Sequence, residues 1–206
     1  TTVAADTGAE TVEPETGETS SESDATEGTV ETKGVIKLGG LAPMTGNYAE
    51  YGIGFQTGFD MALEKINEEG GANGYTFEIE VKDSEGDAVK SSTLATDYAE
   101  DDDILAILGD FTSGACKANA EIVDRYGIVQ LSPTASAADY AAMSEYCFGI
   151  MGRQDVEAPF LAKYLLKKYL NATNVAVIRV DSDWGLSCFE NFKKQADKEG
   201  LVVEEE

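Results

Sequence analysis

The sequence contains no histidine among its 206 residues. Histidine is the commonest general base and metal ligand, and it is the usual partner of a catalytic serine or cysteine. There is also no GxSxG nucleophile motif, and no GxGxxG motif follows the first predicted strand. Asp181 and Asp183 are two nearby acids in one segment, which is weak support for a metal and more typical of a solvated turn. We therefore expect no enzyme, no cofactor and no bound metal ion.

Basic residues are scarce, because 15 lysines and arginines stand against 39 aspartates and glutamates, for a net charge of −24. Such a charge repels nucleic-acid backbones, and the sequence has no basic stripe or nucleic-acid-binding motif. We therefore expect no nucleic-acid partner. Long apolar runs are missing as well, since no stretch reaches the roughly 20 residues that a membrane-spanning helix needs. No signal peptide is visible either.

Cysteines are few, and Cys116, Cys147 and Cys188 are far apart in the sequence. No CxxC motif is present, so zinc binding and thioredoxin-like redox chemistry have no support. We favour three small apolar side chains in the core. A Cys116–Cys147 disulfide remains an open alternative that spacing alone does not decide.

Residues 1–33 contain no aromatic residue, no leucine and no isoleucine. Nine acids against one lysine give this segment a charge of −8. It cannot bury enough apolar surface to offset the entropy of ordering a chain, so we predict disorder. We interpret the segment as an acidic tether between a surface anchor and a folded domain. A terminus without function is the alternative.

From Val35 onward, short apolar runs alternate with segments of helical periodicity. This alternation predicts an α/β fold, in which helices cover both faces of a doubly wound parallel sheet. We predict an N-terminal lobe over residues 34–146, a hinge crossing over 147–153 and the start of a second lobe over 154–206. The second lobe has only two predicted strands and two predicted helices, so we expect it to be truncated.

Four segments lie where a predicted strand ends and a helix begins: "APMTGNYAEYG", "GDFTSGA", "SPTASAAD" and "DSDWGLS". Ligands of open α/β sheets bind outside the carboxyl ends of the strands, so these segments form the candidate site. Each residue also has a purely structural interpretation. Serine and threonine at helix starts are commonly N-caps, and Trp184 is compatible with a core position.

The sequence from Val35 to Glu206 resembles the type I extracytoplasmic solute-binding proteins of ABC transporters, especially the branched-chain amino-acid (Leu/Ile/Val) binding proteins. The resemblance runs in order through "IKLGGLAPMTGNYAEYG", "GFDMALEKINEEGGANG", "VKDSEGDAVKSSTLA", "ILGDFTSGA", "GIVQLSPTASA" and "VDSDWGLS". It implies the two-lobed periplasmic-binding-protein type I fold, whose doubly wound parallel sheets are joined by a hinge. It also implies an extracytoplasmic location, either as a lipid-anchored lipoprotein at the cell surface or in the periplasm.

The resemblance assigns the amino-acid head group of the ligand to residues of two loops. Ser113 falls where the family uses a hydroxyl and an N–H group on the ligand carboxylate. Thr134 falls where a backbone carbonyl accepts a hydrogen bond from the ligand ammonium. Ser136 falls where a hydroxyl and an N–H group also meet the head group, and Ala135 belongs to the same set of ligand-binding residues.

The resemblance assigns the walls of the pocket to aromatic residues. Tyr51 and Trp184 fall where family members place aromatic side chains against the ligand. The sequence departs from the family at Thr112, Ser113 and Gly114, where amino-acid binders often have a run of serines. Gly114 leaves extra room at that point, so the ligand's side chain stays open.

The implied function is the substrate-binding component of an ABC importer, which binds a branched-chain amino acid or a close analogue by hinge closure. The implied partners are this small ligand and the ABC permease membrane subunits, and we expect the complete protein to be monomeric. Hydroxyl and backbone groups suit a zwitterion, because they can donate hydrogen bonds to its carboxylate and accept them from its ammonium. No unpaired charge of the protein is then buried. One alternative is a ligand-sensing ectodomain of the same fold that signals instead of importing. Another is an α/β enzyme, which the missing catalytic residues disfavour.

Overall fold

The computed structural model describes residues 32–205, and Glu205 only in its backbone. The predicted acidic tether therefore lies outside the described residues, apart from its last two. Within the described part, the chain forms two parallel sheets, each connected through helices. The predicted α/β class is confirmed. No helix in this part combines the length and the apolar character that crossing a membrane requires.

The first sheet has five parallel strands in the order β2-β1-β3-β4-β5. The order reverses beside β1, so connections run over both faces, as in doubly wound folds. The strands are β1 (Gly34–Ala42), β2 (Tyr75–Asp83), β3 (Ile104–Leu108), β4 (Val129–Ser132) and β5 (Cys147–Gly149). The helices between them are α1 (Ala49–Glu68), α2 (Ala88–Ala99), α3 (Ser113–Ala118) and α4 (Ala120–Tyr126).

The second sheet pairs β6 (Asn174–Val177) with β7 (Val202–Glu205) in parallel. It is preceded by α5 (Gln154–Phe160) and a π-helical segment (Leu161–Tyr169), and α6 (Asp183–Lys198) joins its strands. Large apolar side chains are exposed in this half, and the Ile178 side chain is 86% accessible. The first three residues of the predicted hinge form β5 at the edge of the first sheet; the hinge itself stays a prediction.

Two helices differ from the sequence-based expectation. The helix predicted after β3 is divided at Asn119, whose buried Nδ2 donates to Ser91 Oγ of α2 at 3.0 Å. The helix predicted after residue 154 contains Pro159, which supplies no backbone donor and crowds the carbonyl four residues earlier. The turns that follow have π geometry, so Leu170 N donates to Leu165 O at 2.9 Å, five residues back.

The main core lies between the first sheet and its helices, and Leu41, Ile107 and Tyr98 are buried there. The Tyr98 hydroxyl donates to Glu80 O at 2.7 Å. Its ring lies so close to β1 that a Cβ on Gly39 would approach within 2.7 Å of it. Gly39 thus makes room for the Tyr98 ring against the buried carboxyl-terminal half of β1.

All three cysteines are free thiols, so the Cys116–Cys147 disulfide is not formed. Cys116 and Cys147 are buried in the main core, as the favoured interpretation predicts. Cys188 on α6 is half-buried and contacts Gln154 Oε1 at 2.6 Å. Its thiol thus forms a polar contact between α5 and α6.

Candidate functional site

A cavity of about 720 Å³ lies at the carboxyl edge of the first sheet, where α6 approaches it. This volume is typical of small-molecule sites. Its lining comes from the segments after β1, β2, β3, β4 and β6, so it gathers all four segments that the sequence indicates. The lining residues are Tyr48, Tyr51, Gly86, Ala88, Phe111, Thr112, Ser113, Gly114, Ala115, Thr134, Val180, Ser182, Asp183 and Trp184.

Four of the six predicted ligand-binding residues line the cavity: Tyr51, Ser113, Thr134 and Trp184. The other two, Ala135 and Ser136, are buried and lie outside the lining.

Ser136 instead joins the first lobe to the segments that follow it. Its Oγ accepts hydrogen bonds from Trp184 Nε1 at 3.0 Å and from Gln154 Nε2 at 3.1 Å, and its carbonyl accepts from Gln154 N at 3.0 Å. Ala138 N, two residues later, donates to Ser187 Oγ of α6 at 3.2 Å. Ser136 therefore orients Trp184, whose ring lines the cavity.

The Ser113 hydroxyl is available to a ligand. Thr112, and not Ser113, caps α3, because Thr112 Oγ1 accepts from Ala115 N at 3.1 Å. Ser113 Oγ accepts from Ala137 N at 3.3 Å, and among residues 32–205 its hydroxyl proton has no acceptor. A ligand carboxylate in the cavity is a suitable acceptor for this proton.

Thr134 contributes in a different way, because its side chain is already engaged. Its Oγ1 donates to Phe111 O at 2.7 Å and so connects the loop after β4 to the loop after β3. No described residue donates to the Thr134 carbonyl oxygen, which leaves it free to accept from a ligand ammonium. One hydroxyl proton and one carbonyl oxygen thus lack a partner among residues 32–205, in the two loops to which the resemblance assigns the head group.

The apolar wall of the cavity centres on Phe111, which the sequence-based prediction did not include. Its ring stacks on Tyr51 with 4.4 Å between centroids and lies 5.2 Å from the Tyr48 ring. It lies three residues after the end of β3 and two before Ser113, within a segment that the sequence already places at the carboxyl edge of the sheet. Trp184 faces the cavity from α6, and the wall therefore suits an apolar side chain.

Among the described residues, Asp183 is the single charged one in the cavity lining. Lys117 lies 3.7 Å from its Oδ2 and 2.8 Å from Asp139 Oδ2, so a lysine on α3 balances it. The hydrogen bond to Asp139 and the charges of both acids raise the pKa of Lys117, which stays protonated. No group of three or more cysteine, aspartate or glutamate side chains in residues 32–205 is arranged to hold a metal ion.

A larger groove of about 1050 Å³ lies between α5, β6 and α6. Its walls are mostly apolar, with Phe160, Leu165 and Phe192 among them. Of the six predicted site residues, it contains only Trp184. We therefore take the smaller cavity, which has polar groups suited to a ligand, as the functional site.

Asp83, at the end of β2, shapes the loop that carries Tyr48 to the cavity. Its Oδ1 accepts from Met44 N at 2.8 Å and from Glu85 N at 2.9 Å, and its Oδ2 accepts from Thr45 Oγ1 at 2.6 Å. Partial burial alone would raise the pKa of Asp83, but these hydrogen bonds together lower it to about 2. The ionised carboxylate therefore holds the loop at neutral pH.

Replacing Asp83 by asparagine is expected to lower the free energy of unfolding by about 2 kcal/mol at neutral pH. A depressed pKa stabilises the fold above the unfolded-state value of 3.8, and this contribution is lost as the pH falls towards 2. The difference in the free energy of unfolding between the parent and Asp83→Asn should therefore disappear at acid pH. Urea unfolding at several pH values tests this. Asp102→Asn, at an exposed aspartate, is the control, and a gap that stays constant with pH contradicts this role for Asp83.

The chain was compared with known proteins. A family model described as a periplasmic binding protein matches residues 35–206. The Leu/Ile/Val-binding protein BraC3 of Rhizobium johnstonii is 29% identical over 168 residues, covering 81% of this chain and 45% of the relative. The leucine-, isoleucine-, valine-, threonine- and alanine-binding protein of Pseudomonas aeruginosa is 25% identical over 169 residues, covering 82% of this chain and 45% of the relative.

A solved structure is similar as well. The branched-chain amino acid transporter substrate-binding protein LivJ of Streptococcus pneumoniae, in complex with isoleucine, matches with a TM-score of 0.74 and 25% identity. The match covers 83% of this chain and 49% of that protein. The chain thus spans about half the length of the curated relatives it matches.

Proposed function

Because the chain belongs to the periplasmic binding protein family, we propose that it is the solute-binding component of an ABC importer and binds a branched-chain amino acid or a close analogue. The family consists of substrate-binding proteins of transport systems, and this confirms the expectation that the chain is not an enzyme. Its extracytoplasmic location follows from the same membership.

One observation carries the choice of an amino acid: among the described residues, nothing accepts the Ser113 hydroxyl proton or donates to the Thr134 carbonyl oxygen, and both residues belong to the cavity lining. The Ser113 hydroxyl binds the ligand carboxylate, and the Thr134 carbonyl oxygen binds the ligand ammonium. Phe111, which accepts the hydrogen bond from Thr134 Oγ1, fixes the two loops relative to each other. The Ser113 hydroxyl and the Thr134 carbonyl oxygen together satisfy both charges of a zwitterion. No unpaired charge is then buried, which would cost several kcal/mol.

An apolar ligand side chain then lies against the aromatic wall of Tyr51, Phe111 and Trp184. Burying a leucine-sized side chain contributes about 2 kcal/mol relative to leaving it in water. Ser136 supports this wall from behind through its hydrogen bond to Trp184 Nε1 at 3.0 Å. Ala135, buried beside it, completes the proposed set of ligand-binding residues.

Binding is coupled to closure about the predicted hinge at residues 147–153. Trp184 and Asp183 belong to the second half and line the cavity together with Ser113, so a ligand bridges the two halves. Closure excludes water and presents one surface to the permease membrane subunits. The acidic segment at residues 1–33 serves as the tether to a lipid anchor, and the complete protein acts as a monomer.

A thermal-shift screen of the full-length protein tests the proposed ligand class. Leucine, isoleucine and valine are expected to raise the melting temperature, because ligands that bind only the native state stabilise it. Glutamate and lysine, whose side chains bring a charge against the aromatic wall, are the controls and should not. A shift with lysine or glutamate and none with the three apolar amino acids would reject the proposed ligand.

A further inference from the structure

A buried glutamine lies at the point where the second half of the chain begins. Gln154 is the first residue of α5, directly after the predicted hinge at residues 147–153, and it is 6% exposed. A buried side-chain amide is costly unless both of its ends are hydrogen-bonded, so its partners are informative. Gln154 makes none of the proposed ligand contacts, and among the described residues those that line the cavity do not include it.

The Gln154 side chain connects the first lobe to α6. Its Nε2 donates to Ser136 Oγ in the loop after β4 at 3.1 Å and to Glu157 Oε2 in α5 at 3.4 Å. Its Oε1 accepts from the Cys188 thiol of α6 at 2.6 Å. Because a carboxylate only accepts hydrogen bonds, Glu157 fixes which end of the amide faces Ser136. Both ends of the amide thus have partners.

The Cys188 thiol is in the protonated form that this contact requires. Burial raises the pKa of Cys188, and the charge of Glu157 raises it further, so the thiol donates to Gln154 Oε1. Away from this contact, α5 packs on α6 through apolar side chains such as Ala158 and Phe192. This apolar packing should keep the two helices together when the polar contact is removed.

The Ser136 hydroxyl links Gln154 to the wall of the cavity. Its oxygen has two lone pairs, to which Trp184 Nε1 and Gln154 Nε2 donate at 3.0 and 3.1 Å. Cys188 lies four residues after Trp184 on α6 and therefore on the same face of the helix. The Gln154 amide thus contacts both supports of Trp184: the hydroxyl that accepts from its indole, and the helix that carries it.

We propose that Gln154 is a positioning residue, whose side-chain amide holds Trp184 against the ligand by bonding to Ser136 and Cys188 at the same time. The proposal rests on the proposed function for its consequence, the affinity for leucine. A wall that is already in place loses less conformational freedom when the ligand binds, so the affinity is higher. The main-chain bond from Gln154 N to Ser136 O at 3.0 Å survives a side-chain substitution, so such a substitution tests the amide alone.

The test compares Gln154→Met with the parent in the full-length protein. Methionine has a similar length but no amide, so it keeps the packing and removes the three side-chain hydrogen bonds. The matched control is Gln195→Met, because Gln195 is half-buried on α6 and donates to Glu199 Oε1 at 2.7 Å within that helix.

Solvent exchange of the Trp184 indole N–H in the unliganded protein is the first readout. Nuclear magnetic resonance measures it, and the signal is identified by its loss in Trp184→Phe. We expect exchange to quicken by about tenfold in Gln154→Met and to change less than about twofold in the control. Exchange that is equal in the parent and in Gln154→Met overturns the proposal.

Leucine affinity, measured by calorimetry well below the melting temperature, is the second readout. We expect Gln154→Met to weaken it by about tenfold, and the control to stay within about twofold of the parent. A residue with a merely structural role would lower the melting temperature and leave the affinity of the folded fraction unchanged. That result overturns the proposal.

Cys188→Ala removes one arm of the amide's contacts and covers the case in which Gln154→Met does not fold. We expect it to quicken indole exchange and to weaken leucine binding by about threefold each, and to add nothing in the Gln154→Met background. No effect of Cys188→Ala, or equal effects in both backgrounds, overturns the proposal. If the parent binds no amino acid, the proposed function fails, while indole exchange still decides whether Gln154 holds Trp184.

Discussion

Replacing Gly52 by alanine is expected to destabilise the protein by about 3 kcal/mol. Gly52 is the buried residue of α1 that faces the loop after β1. A Cβ placed there would lie 2.2 Å from Pro43 O and 2.7 Å from Pro43 C, so backbone has to move and no flexible side chain can absorb the clash. The expected result is a lower midpoint in urea unfolding with an unchanged slope.

The same helix supplies the control for Gly52→Ala. A Cβ on Gly54 or Gly58 would meet no atom within 4 Å. Because alanine is the better helix former, Gly54→Ala and Gly58→Ala should stabilise the protein by about 0.5–1 kcal/mol. If Gly52→Ala destabilises the protein while the other two substitutions stabilise it, the loss of stability comes from the close packing of α1 on Pro43. Equal effects at all three glycines would contradict that explanation.

Replacing Ser113 by alanine is expected to weaken leucine binding by about 10- to 100-fold, equivalent to about 1.5–3 kcal/mol. The Ser113 hydroxyl proton has no acceptor in the described part of the chain, so its removal takes one hydrogen-bond donor away from the ligand carboxylate. Calorimetry on the full-length protein measures the change in affinity. The substitution also removes the acceptor of Ala137 N, which can lower the stability of the fold. Urea unfolding of Ser113→Ala therefore measures that effect separately.

Ser92→Ala is the matched control for this experiment. Ser92 lies on α2, and its Oγ donates to Val89 O at 2.9 Å within the same helix, away from the cavity lining. It should leave leucine affinity unchanged. An affinity of Ser113→Ala equal to that of the parent, in protein that is folded by the unfolding assay, would remove Ser113 from the site.

The parts of the fold that follow periodicity could be predicted from the sequence. Strands such as β3 (Ile104–Leu108) are continuous apolar runs, which is typical of parallel sheets, and the order of the strands along the chain places four loops on one edge. The candidate cavity lies at that edge for this reason. Tyr51, Ser113, Thr134 and Trp184 line it, each from a different loop or helix start.

Other features depend on contacts between residues that are distant in sequence. Ser136 lies in the loop after β4, as predicted, but its hydroxyl oxygen accepts hydrogen bonds from Trp184 and Gln154. No local sequence pattern predicts either partner. The π-helical turns begin directly after Pro159, although the apolar periodicity there predicts an ordinary helix. The part that Phe111 plays in the cavity wall likewise depends on the rings of Tyr48 and Tyr51, which reach it from the segment after β1.

The most direct test of the central claim is a crystal structure of the full-length protein with bound leucine. We expect the leucine carboxylate to accept from Ser113 Oγ and the leucine ammonium to donate to Thr134 O, with the side chain against Phe111 and Trp184. A bound leucine whose carboxylate pairs with a lysine or arginine elsewhere, while Ser113 and Thr134 contact no ligand, would contradict it.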